Sequence, residues 1–454
     1  MRSVSLSALI VAAALAGCAS TPAADVKGAV GAFPASYAHG GTAATPAPSG
    51  DWWAAFGDAR LDRVVQEALA RNNNLAAAAI TVRRAQLQAS LATDQLLPHA
   101  SADGSASTSR QDGQTTRSAS ASASVSYEAD LFGRLGAERN AARWEAKATA
   151  QDLEATRLAL IGETLTQYWT LGYLNARIAS AEASVAYSRQ VLALVEAQKA
   201  AGAVSGIELN EARQSVQSQE AALSALVQQR VETRNALALL LGGQAWPQDD
   251  EPQGLSSGAL PGVAEGVPAE LLARRPDLRA AELRLRGSLS TVDASRASFY
   301  PQITLTGSAG GSSSSLSNVL ADPVTALGVG VTLPFLNFNQ LSLNLKVSKA
   351  DYEKAVIDFR QSLLSAFADV DNALSARTQL DIQGQRLAES YASASEAERL
   401  YGVRYHAGAV ALRTWLDAQE SKRSAETALL QNDLSRLQNM STLYQALGGD
   451  TPSS

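Results

Sequence analysis

The amino-acid sequence repeats itself once, in the same order, over most of its length. Residues 70–75 match 273–278 at an offset of 203, and Pro98 matches Pro301 at the same offset. Gly-Ala-Val at 202–204 recurs at 408–410, and Leu-Gly-Gly at 241–243 recurs at 447–449, both at an offset of 206. Ordered matches with so little drift indicate a tandem duplication. The sequence therefore predicts two copies of one unit, at 51–246 and 269–454, joined by a Pro/Gly-rich connector at 247–268.

Each copy contains a long segment without proline that has the pattern of a single helix. Helices are predicted at about 134–201 and 340–406, each followed by a Gly-containing turn and a return helix at about 207–241 or 412–447. Such long helices reach ~100 Å, too long for a compact domain. Hydrophobic residues make up 46% of the chain but aromatics only 6%, which favours long helices with narrow apolar seams. The seams recur at spacings of three and four: Leu158, Ile161, Leu165 and Tyr168; Phe359, Leu363, Phe367, Val370 and Leu374.

Each copy also contains a pair of segments with alternating polarity. Strands are predicted at about 101–111, 117–128, 302–311 and 326–335. In each copy the strand pair follows, along the chain, a helix that is ended by Pro98 or Pro301. In 118–127 serines alternate with Ala, Val and Tyr, so one face is polar and the other apolar. This pattern is typical of a transmembrane β-barrel with a wet lumen, and also of a half-buried sheet in a soluble protein. Four strands cannot close a membrane barrel; three copies of the chain would supply twelve.

The N-terminal region predicts export and lipid attachment. Residues 1–17 have the positive start and short apolar stretch of a signal peptide. Leu15-Ala16-Gly17-Cys18 resembles a bacterial lipobox, in which the cysteine is acylated; a plain secretory signal is the alternative. Residues 18–50 would form an extended tether from Cys18, and Ala19 in place of Asp favours the outer membrane.

Several function classes are excluded or disfavoured by composition. The net charge of −6 lacks the strongly basic footprint of a nucleic-acid-binding protein. One Cys and three scattered His residues suit neither a disulfide framework nor a metal site. The motifs of serine hydrolases, zinc peptidases and nucleotide-binding enzymes are absent from the sequence. We therefore expect no catalytic activity, no cofactor and no metal.

The sequence resembles the TolC-like outer-membrane efflux channels, in the lipidated branch that includes NodT and OprM. The resemblance covers nearly the whole chain after Cys18. It rests on motifs in both halves, at 51–53, 130–134, 275–278, 299–301, 416–419 and 444–449. It implies a mainly α fold with a transmembrane β-barrel, an α-barrel of long helices and a mixed α/β equatorial collar. It also implies a homotrimer in outer-membrane lipid, working with a periplasmic membrane-fusion adaptor and an inner-membrane pump of the RND type.

The resemblance also assigns roles to the two helix turns, which would lie at the periplasmic tip. Residues matching the adaptor-contact turns are Gly202, Val204, Ser205, Gly408 and Val410. Residues matching the periplasmic gate are Glu208, Tyr405, Arg413 and Asp417. Val410 replaces an arginine of TolC, and Arg413 lies where relatives can carry an apolar residue. Arg413 is spaced to pair with Asp417 one helical turn later.

Two other functions are compatible with parts of the pattern. The channel could export metal ions or serve type I secretion instead of exporting other small molecules, since the substrate cannot be deduced from a passive conduit. A lipid-anchored coiled-coil spacer of the periplasm would also have long helices, but it would not need alternating strands in both halves.

Overall fold

A computed structural model describes residues 37–39, 51–256, 260–261 and 274–449. The predicted signal segment 1–17 and Cys18 lie outside the described residues, as do most of 18–50 and part of the connector 247–268. The described part of the chain is mainly helical and has one four-stranded sheet, which confirms the predicted content. Its main elements, in chain order, are α1 (Ala59–Arg71), α2 (Asn73–Asp94), β1 (His99–Gln111), β2 (Gln114–Ala129), α3 (Arg134–Ala200), α4 (Gly206–Leu240), α5 (Pro276–Ala297), β3 (Gln302–Ser313), β4 (Val324–Thr332), α6 (Phe338–His406) and α7 (Leu412–Ala446).

The duplication is visible in equivalent contacts of the two halves. The helices α3 and α6 have 67 and 69 residues, and each packs along its return helix. Gly242 and Gly448, which follow the return helices, both have positive φ. A Cβ at Gly242 would lie 2.6 Å from the carbonyl oxygen of Arg71, and one at Gly448 would lie 2.7 Å from that of Arg274. Only glycine fits either position, so the repeated Leu-Gly-Gly has the same structural cause in both halves.

Proline sets several of the element boundaries. The helices before Pro98 and Pro301 were predicted to reach about Leu97 and Tyr300. They end three residues earlier, at Asp94 and Ala297, and a short turn separates each helix from its proline. The predicted strand 326–335 was too long at its end. It stops at Thr332, because Pro334 has no N–H to donate and begins a 3₁₀ turn at Pro334–Asn337.

The four strands form one antiparallel sheet in the order β1-β2-β3-β4. The β1–β2 hairpin turns at Asp112 and Gly113, both with positive φ. Tyr127 lies opposite Leu305, which lies opposite Val329, and these residues share the face of the sheet that we call the apolar face. The opposite face, here the hydroxyl face, carries serine pairs such as Ser101–Ser124 and Ser105–Ser120, each with oxygens 2.8 Å apart.

The main core lies where the ends of the two copies meet, about halfway along the long helices. Trp52 and Trp53 are each 2% exposed, and Trp52 stacks on Tyr444 with ring centroids 4.8 Å apart. Both indoles are therefore part of the main core. Arg234 binds the buried carboxylate of Glu251 through two hydrogen bonds of 2.7 Å, which fixes the start of the connector on α4. No helix in the described ranges is long and apolar enough to cross a bilayer.

Candidate functional site

The two turns of the duplicated hairpins meet at one end of the molecule, which we call the tip. The turn at 201–205 joins α3 to α4, and the turn at 407–411 joins α6 to α7. A small second core holds them together, separate from the main core. Its buried members are Val191, Val195, Ala212, Leu412 and Trp415, and they come from both hairpins. The tip therefore depends on contacts between the two halves of the chain.

The first turn is held by hydrogen bonds within a few residues. Gly202 has φ of 73°, and the amide of Ala203 donates to the carbonyl of Gln198 at 2.9 Å, which closes the end of α3. Ser205 is the N-cap of α4: its hydroxyl accepts from the amide of Ile207 at 3.1 Å. The carboxylate of Glu208 accepts from the amide of Ser205 at 2.9 Å and also from its hydroxyl. This arrangement is a capping box.

The capping box changes the interpretation of Glu208. The hydroxyl of Ser205, followed by backbone amides, stabilises the charged form and lowers the pKa of Glu208. The carboxylate stabilises the start of its own helix, and it does so within a single chain, whether or not a pore is formed. Its place in the gate stays a prediction.

The second turn has the same backbone but different support. Gly408 has φ of 71°, and the amide of Ala409 donates to the carbonyl of Arg404 at 2.8 Å. Ala411, the N-cap of α7, has no side chain that can cap the helix. Instead the ring of Trp415 stacks on Tyr405 with centroids 5.0 Å apart, and its indole N–H donates to Glu398 at 3.3 Å. Aromatic packing therefore holds the start of α7 where the first turn has a side-chain cap.

Tyr405 connects the two hairpins. Its hydroxyl donates to the side-chain oxygen of Gln198, on α3, at 3.1 Å. Burial, with a further contribution from the negative charge of Glu208, raises the pKa of Tyr405. The phenol is therefore neutral at physiological pH and serves as a hydrogen-bond donor.

Arg413 and Asp417 form the predicted pair on α7. The Nε of Arg413 donates to the two carboxylate oxygens of Asp417 at 3.0 and 3.2 Å, which confirms the contact. Both side chains are more than half exposed, at 64% and 62%. The pair is therefore solvated in the single chain.

Sequence reasoning missed three residues that support the tip, namely Gln198, Glu398 and Trp415. Their contacts join separate helices, so no short motif reveals them. Gly402 was also missed, although a glycine inside a helix is a sequence signal. A Cβ there would lie 3.1 Å from the indole nitrogen of Trp415. Gly402 therefore leaves room for the ring.

The tip contains an exposed ion pair, hydrogen bonds between the hairpins and a small apolar core. Across the described ranges, no group of three or more His, Cys, Asp or Glu side chains is arranged to hold a metal ion. The arrangement can hold two hairpins together and present an acid to solvent.

Comparison with known proteins identifies the family. The model for outer membrane efflux proteins matches residues 64–243 and 267–449, one match per half. The pyoverdine export outer membrane protein OpmQ of Pseudomonas putida is 34% identical over 415 residues, which cover 88% of each chain. Toxin and drug export protein A of Aggregatibacter actinomycetemcomitans is 32% identical over 409 residues, with the same coverage.

A solved structure agrees with this match. The open state of the MtrE outer membrane channel of Neisseria gonorrhoeae superposes with a TM-score of 0.73 at 32% identity, covering 86% of this chain and 89% of that chain. The resemblance to TolC-like channels is thus confirmed, and with it the outer-membrane location and the role in efflux. Since the family model matches both halves of the duplicated frame, the chain belongs to the outer membrane efflux protein family.

Proposed function

We propose that three copies of this chain form one closed channel, the passive outer-membrane conduit of a tripartite efflux system. The observation that carries the proposal is the four-stranded sheet, which has an apolar face, a hydroxyl face and two free edges. Within the described chain, β1 and β4 are the edge strands. They run in opposite directions, so β4 of one copy can pair antiparallel with β1 of the next. Three copies close a twelve-stranded barrel, within the size range of membrane barrels.

The exposed apolar residues of the helices support assembly. The first half of α6 exposes Leu343, Val347 and Ile357 at 53–67%, and α2 exposes Ile80 and Leu91 at 63% and 64%. Large apolar patches are rarely left in water. Packing against neighbouring copies would cover them and build a tube that continues from the barrel.

Channel formation is tested with purified full-length protein. Native mass spectrometry should give a trimer, and planar bilayers should show discrete conductance steps. A monomer without conductance would contradict the proposal, and a trimer without conductance would favour a periplasmic spacer.

The tip turns are proposed to contact the periplasmic adaptor, which connects the channel to an inner-membrane RND-type pump. Gly202, Ser205 and Gly408 are exposed, and Val204 and Val410 are half-buried beside them. Ser205→Cys should crosslink to a periplasmic partner in cells. Ser317→Cys, in the β3–β4 loop, is the control and should be labelled from outside intact cells. Labelling of the Ser205 variant from outside would contradict this orientation.

The gate is proposed to lie at the same tip, with Asp417 and Glu208 of three copies around the axis. Like charges held close together repel one another, and Arg413 offsets the charge of Asp417 in each copy. Asp417→Ala should lower the cation preference and raise the open probability in bilayers. The change should be non-additive with Arg413→Ala. Unchanged conductance and selectivity would place the gate elsewhere.

Cys18 is proposed to carry the acyl anchor. Because a barrel buries far more apolar surface than acyl chains do, Cys18→Ser should abolish acylation but leave the trimer in the membrane. Mass spectrometry of the mature N-terminus and membrane fractionation measure the two effects. Release of folded trimer into the periplasm would contradict the barrel.

The exported molecule is proposed to be selected by the pump, since a passive conduit carries whatever the pump loads into it. The relatives named above export pyoverdine, or toxins and drugs, according to their names. Replacing the cognate pump while retaining this channel should change the exported substrate.

A further inference from the structure

The charges of the sheet are sorted by sign between its two faces. The described strands contain four Asp, Glu, Lys or Arg residues: Asp103, Arg110, Arg117 and Glu128. Asp103 lies opposite Ser122 and Glu128 lies opposite Thr304, so both acids lie on the hydroxyl face. Arg117 lies opposite Thr108 and Arg110 lies opposite Thr115, which places both arginines on the apolar face. The acids and the arginines of the strands are therefore on opposite faces of the sheet.

The two arginines lie at the far boundary of the apolar face. Tyr127, ten positions from Arg117 along β2, lies at the end that leads into α3. Ten residues span ~34 Å along a strand, or ~26 Å along the barrel axis at the usual tilt, which matches the ~25 Å height of the apolar band of membrane barrels. In the proposed barrel, Tyr127 would therefore lie at the periplasmic interface and the arginines at the level of the outer-leaflet headgroups.

Both guanidinium groups are exposed and available to a ligand. Neither has a hydrogen-bond or ion-pair partner within the part of the chain that the structure describes. The two residues are diagonal neighbours on adjacent strands, which places them ~7–8 Å apart. A lipid-facing charge costs little near the interface and much more at mid-membrane, and the planar guanidinium matches phosphate through paired hydrogen bonds.

We propose that Arg110 and Arg117 form a lipid-binding pair that holds the phosphate groups of the phosphorylated glycolipid of the outer leaflet. The inference depends on the proposed barrel, because only a membrane-spanning sheet brings these side chains to that layer. Each trimer would carry three such pairs around its outer rim. The three pairs would bind lipid at three positions around the outer face of the channel.

The test uses the full-length trimer and measures lipid retention by native mass spectrometry. The probes are bisphosphorylated lipid A, dephosphorylated lipid A and inorganic phosphate. Since a basic residue near an anionic membrane surface contributes about 1 kcal/mol, affinity for bisphosphorylated lipid A should fall about fivefold per arginine in Arg110→Gln/Arg117→Gln. The matched control is Arg360→Gln/Arg404→Gln, two exposed arginines on α6, which should retain lipid like the wild type. Arg110→Lys/Arg117→Lys should fall between the two.

The outcomes separate this inference from the proposed function. Equal retention by the Gln variant and the wild type would overturn it. The inference would also be overturned if the wild type retained dephosphorylated lipid A as well as the bisphosphorylated form. Binding of inorganic phosphate without lipid would overturn it too. Conductance is recorded on the same samples. If the variants conduct and lipid retention is unchanged, the lipid-binding pair fails and the channel stands; if the wild type does not insert and conduct, the barrel itself fails.

Discussion

The turn at 201–205 and the turn at 407–411 leave their long helices in the same way, through a glycine with φ near 70°. They differ in what holds the next helix. In the first turn every supporting hydrogen bond joins residues at most five positions apart, from Ala203 and Gln198 to Ser205 and Glu208. In the second, Ala409 and Arg404 make the equivalent local bond, but there is no side-chain cap. Further support comes from Trp415, and from Tyr405 bound to Gln198, which is 207 residues away in sequence.

This difference indicates that the two copies of the turn have come to be stabilised in different ways after duplication. The first turn is stabilised locally and should keep its shape if the hairpins separate. The second is stabilised by packing between helices, so a movement of one hairpin relative to the other must alter it. We therefore expect the second turn to respond when the tip opens and the first to remain fixed.

The largest effect is expected from Trp415→Ala. The indole is 2% exposed, and loss of a buried Trp costs ~3–5 kcal/mol. Amide hydrogen exchange in 400–416 should accelerate strongly, while 198–209 changes less. Ile207→Ala is the control, because that side chain is 69% exposed. Equal acceleration in both turns would show that they are not independently supported.

A smaller effect is expected from Gly402→Ala. The new methyl group would press on Trp415, whose ring is already packed against Tyr405, and overpacking costs ~1–3 kcal/mol. The matched control is Gly206→Ala, where a Cβ meets no atom within 4 Å and φ is not positive. Exchange in the second turn should accelerate only in the Gly402 variant. An unchanged Gly402 variant would mean that the indole can shift without cost.

The shared backbone is tested by Gly202→Ala and Gly408→Ala. Neither Cβ would meet another atom, so the cost is conformational alone, ~1–2 kcal/mol for a non-glycine residue with positive φ. The two variants should lose equal protection, each at its own turn. Unequal losses of protection would show that the different contacts around the two turns also affect the cost of replacing the glycine.

The parts of the tip that the sequence predicted are those determined locally. Gly202, Gly408 and the Arg413–Asp417 spacing are local signals, and each has the expected geometry. Ser205 and Glu208 also have the spacing of a capping box, which is a local signal. The family resemblance instead predicted a gate role for Glu208 and an adaptor contact for Ser205. The contacts of Trp415 with Glu398 and of Tyr405 with Gln198 depend on the packing of three helices, α3, α6 and α7, which no local pattern specifies. Helix α3 was predicted to within one residue, because its pattern is local. The early end of β4 is also set locally, since Pro334 cannot donate to the sheet, but the predicted strand ran past this proline.

The smallest effect is expected from the cap itself. Ser205→Ala removes the acceptor for the Ile207 amide, and loss of an N-cap costs about 1 kcal/mol. Because the pKa of Glu208 is lowered, its contribution is fully present above the ordinary pKa of glutamate and is lost as pH falls through the lowered value. Glu208→Gln should therefore reduce protection of the first turn at neutral pH and match the wild type in acid. Exchange of 205–209, compared between variant and wild type at each pH, measures this. The second turn, whose N-cap is Ala411, is the internal control. A Glu208→Gln effect that persists unchanged in acid would show that the carboxylate does not act through its charge.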